Sequence, residues 1–320
     1  MLNRPTSRLT VGVLISLTLV ASGCAKSKKE RAAIPDAGTT GVTSPGSTEA
    51  TSSSAARSSE SPSAGADLAS KVPDAIKKDG KITVGTDSTY APSEFLDKDG
   101  KTIIGFDVDI FNAVAAKLGL KAEFVTAPFD SIIPGIGSGK YEVGVSSFTI
   151  NDKRKKEANM ISYFQAGTQW LTKTGNPSGI SPDDACGKKV AVQKGTVQDT
   201  DDLVARSKKC TDAGKKAISV DRFDGQDEAT AAVVSGKDLA VLADLPVIAY
   251  AVSKTEGKLA VLGAMYDSAP YGYVVKKDQA DFAQVLADAL KAVIADGSYK
   301  TALTKWGVEA GAITDPAVNP

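Results

Sequence analysis

The chain has 320 residues, 38 basic against 38 acidic side chains, 42% hydrophobic residues, three cysteines and no histidine. Balanced charge gives no general attraction to nucleic acid. The absence of imidazole removes Ser-His and Cys-His nucleophiles and the common zinc sites, so neither a metal nor a cofactor is expected.

Arg4 and Arg8 flank the start of an apolar stretch over 9–20, followed by Ala21-Ser22-Gly23-Cys24. A charged start, a short apolar core and small residues before a cut make a secretory signal over 1–23. The stretch is short of the roughly 20 apolar residues that a spanning helix needs. The ending looks like the bacterial lipobox, which implies a diacylated Cys24 as the mature N-terminus. Alanine stands at Ala21 where leucine is usual, and an ordinary cleaved signal with an incidental cysteine is the alternative. Residues 24–67 turn to Ser, Thr, Ala, Gly and Pro, cannot bury enough surface to offset chain entropy, and are expected to form a disordered tether. With Cys24 assigned to lipid, Cys186 and Cys210 remain as a pair in an oxidising compartment, two unrelated buried thiols being the alternative. The expected location is the outer face of the cytoplasmic membrane, reached through the lipid anchor only.

Strand and helix patterns alternate over the remaining residues, about 250 of them, enough for one large or two moderate domains. Residues 81–86 (KITVGT) form a short β-like run. Gly105-Phe106-Asp107 leads into a helix with Val108, Phe111, Val114, Ala115 and Leu118 on one face and Gly119 as its stop. Residues 121–126 read as strand, 132–136 as a short helix with Pro134 near its start, and 141–145 as a buried strand. The scheme repeats with strand 188–193, a break at Gly195-Thr196 into a helix through Ala205, strand 217–220, helix 226–235, strand 239–243 and a helix from Pro246. Strand 271–275 and a helix over 278–296, with Phe282, Val285, Leu286, Ala289, Leu290 and Val293 on its core side, complete the pattern. Such alternation predicts an α/β fold with parallel sheets, helices on both faces, and a ligand site at the carboxyl ends of the strands.

The run Val145-Ser146-Ser147-Phe148-Thr149-Ile150-Asn151-Asp152-Lys153-Arg154 carries the chemistry. Hydroxyls accept and donate in fixed directions, and a planar guanidinium grips a carboxylate through two parallel hydrogen bonds. Together they read as a clamp for a small zwitterion. A strand ending in a polar loop with one solvated arginine is the plain alternative. The run resembles the S-S-x-S/T-I-T-x-x-R signature of the amino-acid-binding proteins of ABC importers, family 3 of the extracellular solute-binding proteins. Asp87-Ser88-Thr89-Tyr90-Ala91-Pro92-Ser93-Glu94-Phe95 and the block 105–119 match further motifs of that family, in order.

The resemblance implies an α/β, two-lobed periplasmic-binding-protein-like (type II) fold, each lobe a mostly parallel sheet flanked by helices. Two hinge crossings are expected near 167–171 and 267–271, with lobe 1 over 72–166 plus 272–312, lobe 2 over 171–266, and a C-terminal tail over 313–320. It further implies that Arg154 takes an α-carboxylate with the Thr149 hydroxyl and backbone amides near Thr196 and Val197. Asp244 would hold the α-ammonium, and Tyr90 and Phe129 would pack on the aliphatic part of the ligand. Ser146, Ser147 and Gln193 complete the expected set. A helix start after Gly195 suits an anion. An Asp before Leu-Pro is also a common helix cap, and Asp244 is expected to serve both ends. Asp87, facing the ligand side chain, suits an amide or a cation and repels an acid, so glutamine or a related polar amino acid is expected first and cationic amino acids next. The implied partners are that amino acid and the membrane permease, with the protein acting as a monomer and not as an enzyme. A few relatives of this fold are dehydratases or murein-cleaving enzymes, and a lipoprotein that reports to a membrane kinase would present the same site.

Overall fold

Residues 63–320 are described by a computed structural model. The expected signal over 1–23, the lipidation of Cys24 and most of the tether lie outside the described residues. The end of the expected tether is helical instead: α1 (Ser63–Lys71) begins inside it, because Leu68 and Val72 are buried against the main core. Among the described residues no helix is long and apolar enough to cross a membrane.

After the short α2 (Asp74–Lys77), β1 (Lys81–Thr86) opens the fold, and β2 (Thr89–Tyr90), β3 (Glu94–Leu96) and β4 (Ile103–Ile104) make a small antiparallel sheet beside it. Then come α3 (Phe106–Lys117), β5 (Lys121–Thr126), α4 (Phe129–Ser138), β6 (Val143–Thr149), α5 (Asp152–Glu157) and β7 (Ala158–Lys173). The rest is β8 (Lys189–Gln193), a π-helical turn over Gln198–Asp202, α6 (Leu203–Asp212), β9 (Ser219–Phe223), α7 (Gln226–Ser235), β10 (Ala240–Asp244), α8 (Leu245–Lys254), β11 (Leu259–Lys276), α9 (Ala280–Ala295) and α10 (Ser298–Trp306).

The main sheet has the order β5-β1-β6-β11-β7-β10-β8-β9. Its two outer portions, β5-β1-β6 and β10-β8-β9, are each parallel. Between them β7 and β11 run antiparallel to each other and to their outer neighbours. They are long enough to belong to both portions, so the molecule is two-lobed with the lobes joined by shared strands. One core gathers Phe106, Ile110, Phe111, Phe282, Leu286 and Leu290 from α3 and α9 under β1 and β6. In the other lobe, Val241, Val247 and Ile248 pack on one face of the sheet, and Trp170, Val192 and Leu203 on the other.

Several boundaries differ from the sequence reading. The strand expected at 141–145 is β6, shifted so that the hydroxyl run lies within it. α4 spans ten residues with Pro134 in its middle, which is tolerated because Pro134 is exposed and Ile132 and Ile136 supply the buried stripe. The helix expected through Ala205 starts as a π turn and continues to Asp212. The tail is not separate: Ser162 N–H donates to the Ala317 carbonyl at 2.9 Å and Asn319 N–H to the Met160 carbonyl at 2.7 Å, tying it along β7. At Gly105 (φ +142°) a Cβ would lie 2.0 Å from the Ser93 carbonyl oxygen, so only glycine lets α3 start against the β3 loop. Cys186 and Cys210 are disulfide-bonded, joining the loop before β8 to α6.

Candidate binding cleft

The carboxyl ends of β1, β6, β8 and β10 converge between the lobes, where strand ends leave side chains and helix starts free to face a ligand. A cavity of about 10 Å³ there, room for no more than a water, is lined by Tyr90, Phe129, Ser147, Thr149, Arg154, Thr196, Val197, Gln198 and Asp244. Eight of these nine belong to the set read from sequence.

Arg154 sits in α5, whose first turn is capped by the Asn151 side chain accepting the Arg154 N–H at 2.9 Å. Its guanidinium lies 5.4 Å from the Phe129 ring centroid and 5.5 Å from that of Phe148, and those two rings stack at 4.6 Å. It donates to the Thr149 carbonyl at 2.8 Å and, across the cleft, to the Gly195 carbonyl at 3.2 Å. Among the described residues it makes no ion pair. Burial pulls its pKa down to about 10, against the opposing pull of Asp244 and Asp201. A cation in that condition invites an anion.

Asp244 ends β10 on the opposite wall. It forms no side-chain cap to α8, so the helix-cap half of its expected role does not hold. Its carboxylate is taken instead by the Tyr90 hydroxyl at 2.9 Å and the Gln198 amide at 2.8 Å. Burial raises its pKa, opposed by the hydrogen bonds from Tyr90 and Gln198 and by the charge of Arg154. Gln198, in the π turn, also donates to the Thr168 hydroxyl at 2.9 Å and so fixes the helix start to β7. Sequence reasoning missed Gln198 and Phe148. Their only signal was proximity, Gln198 following Thr196-Val197 and Phe148 lying inside the hydroxyl run.

Asp87, Ser146 and Gln193 are buried behind this wall and do not line the cavity. Asp87 accepts Thr89 N–H at 2.9 Å, the Thr89 hydroxyl at 2.5 Å and the Gln193 amide at 3.0 Å from the other lobe. Burial raises its pKa to about 6, with Asp227 adding to the rise and the bonds from Thr89 opposing it. Ser146 accepts the Asp87 N–H at 3.0 Å and donates to Glu94 at 2.8 Å. Further bonds close the cleft: Gln226 N–H to the Thr89 hydroxyl at 3.0 Å, and the Lys194–Asp130 ion pair at 2.8 Å. The described state is closed. Among the described residues no cluster of His, Cys, Asp and Glu could hold a metal ion.

A buried cation and a buried carboxylate face one another across a small cavity walled by aromatic rings, on a two-lobed α/β frame. The comparisons agree with that frame. Residues 82–309 match the family described as bacterial extracellular solute-binding proteins, family 3. The arginine-binding protein ArgT of Corynebacterium glutamicum is 34% identical over 253 residues, covering 79% of this chain and 83% of that protein. The structure of an ancestral arginine-binding protein bound to arginine has 35% identity and a TM-score of 0.65, covering 71% of this chain and 98% of its own. An ancestral arginine-binding protein bound to glutamine gives 36% and 0.64, covering 72% and 99%. With the family matched across nearly all of the two-lobed body, the chain belongs to the bacterial extracellular solute-binding proteins, family 3.

Proposed function

We propose that this protein captures an L-α-amino acid with a cationic or amide side chain and delivers it to the permease of an ABC importer. The observation that carries this reading is Arg154, buried without an ion pair among the described residues, facing Asp244 across the cavity. An α-carboxylate at Arg154 and an α-ammonium at Asp244 would satisfy both charges, with Thr149 and the amides of Thr196 and Val197 completing the carboxylate end and Tyr90 and Phe129 enclosing the ligand. The bonds available, at about 1.5–3 kcal/mol each for charged groups, are enough for micromolar binding at about 8 kcal/mol. Nothing in this arrangement requires bond-making chemistry, and the expected outcome is binding without turnover.

The side-chain end is acidic, with Asp87 near Asp227. That field favours a guanidinium or ammonium and supports arginine ahead of glutamine, the reverse of the order expected from sequence. Glutamine stays second because its amide N–H groups can replace the Gln193 donor on Asp87. The arginine-binding relative supports the same order. Lobe 1 is read as 72–166 with 272–312 and lobe 2 as 171–266, so that Arg154 and Asp244 lie on different lobes and a ligand bonded to both favours closure. Anchoring through Cys24 would keep the receptor beside its permease. Thermal-shift screening against the twenty amino acids, followed by calorimetry, tests the reading. Stabilisation by arginine, and more weakly by glutamine, is expected. A protein stabilised by no amino acid would not be an amino-acid receptor.

A further inference from the structure

Beneath the cleft floor, behind Ser147, lies a pair of carboxyl groups that the clamp does not use. Glu94 (β3) and Asp107 (first turn of α3) are each 0% exposed. Neither has an ion pair among the described residues. Asp107 Oδ2 accepts the Ser147 N–H at 3.0 Å, the Ser147 hydroxyl at 3.2 Å and the Tyr163 hydroxyl. Glu94 Oε1 accepts the Ser146 hydroxyl at 2.8 Å. The two remaining oxygens, Glu94 Oε2 and Asp107 Oδ1, are fully buried with no N–H or O–H donor. The adjacent residues Ser146 and Ser147 of β6 each bond one of the two carboxyls, which brings the pair together, and interaction between them raises Glu94 while Asp107 gains from it. The other ionisable groups that face them among the described residues are also acids: Asp87 from the end of β1, Tyr90 from β2, Tyr163 from β7, Tyr273 from β11 and Tyr299 from α10.

Two bare carboxylates in contact, buried and without a cation, do not coexist; one takes a proton and donates it to the other. The donor count says which. Asp107 receives three donors on one oxygen and is the better carboxylate, whereas Glu94 receives one. Burial pushes Glu94 well above the ordinary carboxylate range, with the charge of Asp107 adding to it, while Asp107 is raised to about 6.

What the pair holds in place is unusual. Ser147 has φ +48°, a left-handed conformation that a serine adopts only when its surroundings impose it. It also lines the binding cavity. Its N–H donates to Asp107 and to the Tyr163 hydroxyl, at 3.0 and 3.2 Å. Its neighbour Ser146 passes the same framework on to the Asp87 N–H.

We propose that Glu94 and Asp107 hold one proton between them, resident on Glu94, and act as positioning residues that set the left-handed Ser147 backbone and the Asp87 main chain for the ligand. This rests on the reading of the cleft as an amino-acid site. Glutamine copies a protonated glutamate, with an N–H toward Asp107 and an oxygen toward Ser146. Asparagine at 107 cannot remain an acceptor for Glu94 and for Ser147 with full charge. L-arginine and L-glutamine are titrated calorimetrically into the wild type, Glu94→Gln and Asp107→Asn. The expected result is a Kd within about threefold of wild type for Glu94→Gln and a loss of about tenfold or more for Asp107→Asn, the scale of a lost charged hydrogen bond. Infrared spectra of the unliganded proteins at neutral pH should show a buried carboxylic-acid carbonyl band in the wild type that is missing in Glu94→Gln. Equal losses in the two variants, the reverse order, or a wild type without that band would overturn the proposal. Should Asp107→Asn fail to fold, the band and the Glu94→Gln titration decide. Should the wild type bind neither amino acid, the receptor reading falls, and the band together with unchanged melting in Glu94→Gln still decides where the proton lies.

Discussion

A guanidinium buried as deeply as that of Arg154 costs several kcal/mol unless an anion meets it, and the protein gives it two carbonyls and two ring faces instead. Stability and function are therefore opposed at this residue. Arg154→Met, similar in volume and uncharged, is expected to raise the melting temperature of the unliganded protein by a few degrees, corresponding to about 1 kcal/mol, while abolishing ligand binding. Arg154→Lys keeps the charge but loses the paired donors and should weaken binding by about tenfold to a hundredfold in calorimetry. Asp87 sets the pH behaviour. Its folded pKa of about 6 lies above the ordinary value of 3.8. Between those values the unfolded chain has released the proton and the folded protein retains it. The contribution of Asp87 to stability is thus complete below about pH 4 and is lost as pH rises through 6. Chemical denaturation should show this decline in the wild type, and Asp87→Asn should reduce it, the remainder coming from Asp107, which is raised to about 6 in the same direction. A cationic ligand prefers the ionised form, so arginine affinity should fall as pH drops below 6, by up to about tenfold per unit. An arginine Kd that stays constant from pH 7 to 5 would remove Asp87 from the recognition of the side chain.

At the scale of elements, what was legible followed local periodicity. The amphipathic α3 and α9 and the strand β1 announce themselves by spacing, and α7 has the bounds its residues suggest. The two strands that join the lobes did not. The first part of β11 contains Gly263, Asp267 and Pro270 and reads as loop; it is strand only because β7 pairs with it through several register shifts. β7 itself is buried along nearly its whole length, so no alternation marks it. Eight of the residues that line the cavity were readable because the proposed ligand calls for specific groups at strand ends. Gln198 and Phe148 were not, since their roles depend on which surfaces face each other after folding. Glu94 and Asp107 lie inside the blocks that carry the family resemblance, and no clamp role was read for either, because what sets them apart is burial without an ion pair among the described residues. The cysteine pair followed from compartment and count. It closes a sequence separation of 24 residues, which on the chain-entropy view contributes about 3 kcal/mol. Replacing both cysteines by serine should therefore lower the melting temperature by several degrees while leaving the Kd within about threefold, because neither cysteine lines the binding cavity. A large change in Kd with little change in melting would reverse that assignment.

For the molecule as a whole, the central quantity is the balance between open and closed lobes. Closure makes bonds that need no ligand: Gln193 to Asp87, Gln226 to Thr89, Tyr90 to Asp244 and Lys194 to Asp130. The last of these is exposed, with side chains 52% and 33% accessible, and Lys194→Ala should change affinity less than about threefold. Closure also buries Arg154 without an anion and raises the pKa of Asp244 by desolvation. Those two charges oppose closing, and a zwitterion that pairs with both reverses the sign. The unliganded wild type should therefore populate an open state that ligand draws shut, seen as a smaller radius of gyration in X-ray scattering. The same account predicts the behaviour of the double variant Arg154→Met/Asp244→Asn. With both buried charges removed and the other cross-cleft bonds intact, the lobes should close without ligand, giving a compact radius that ligand does not alter. A double variant as open as the unliganded wild type would mean that something other than charge desolvation, the geometry of β7 and β11 first among the candidates, holds the lobes apart.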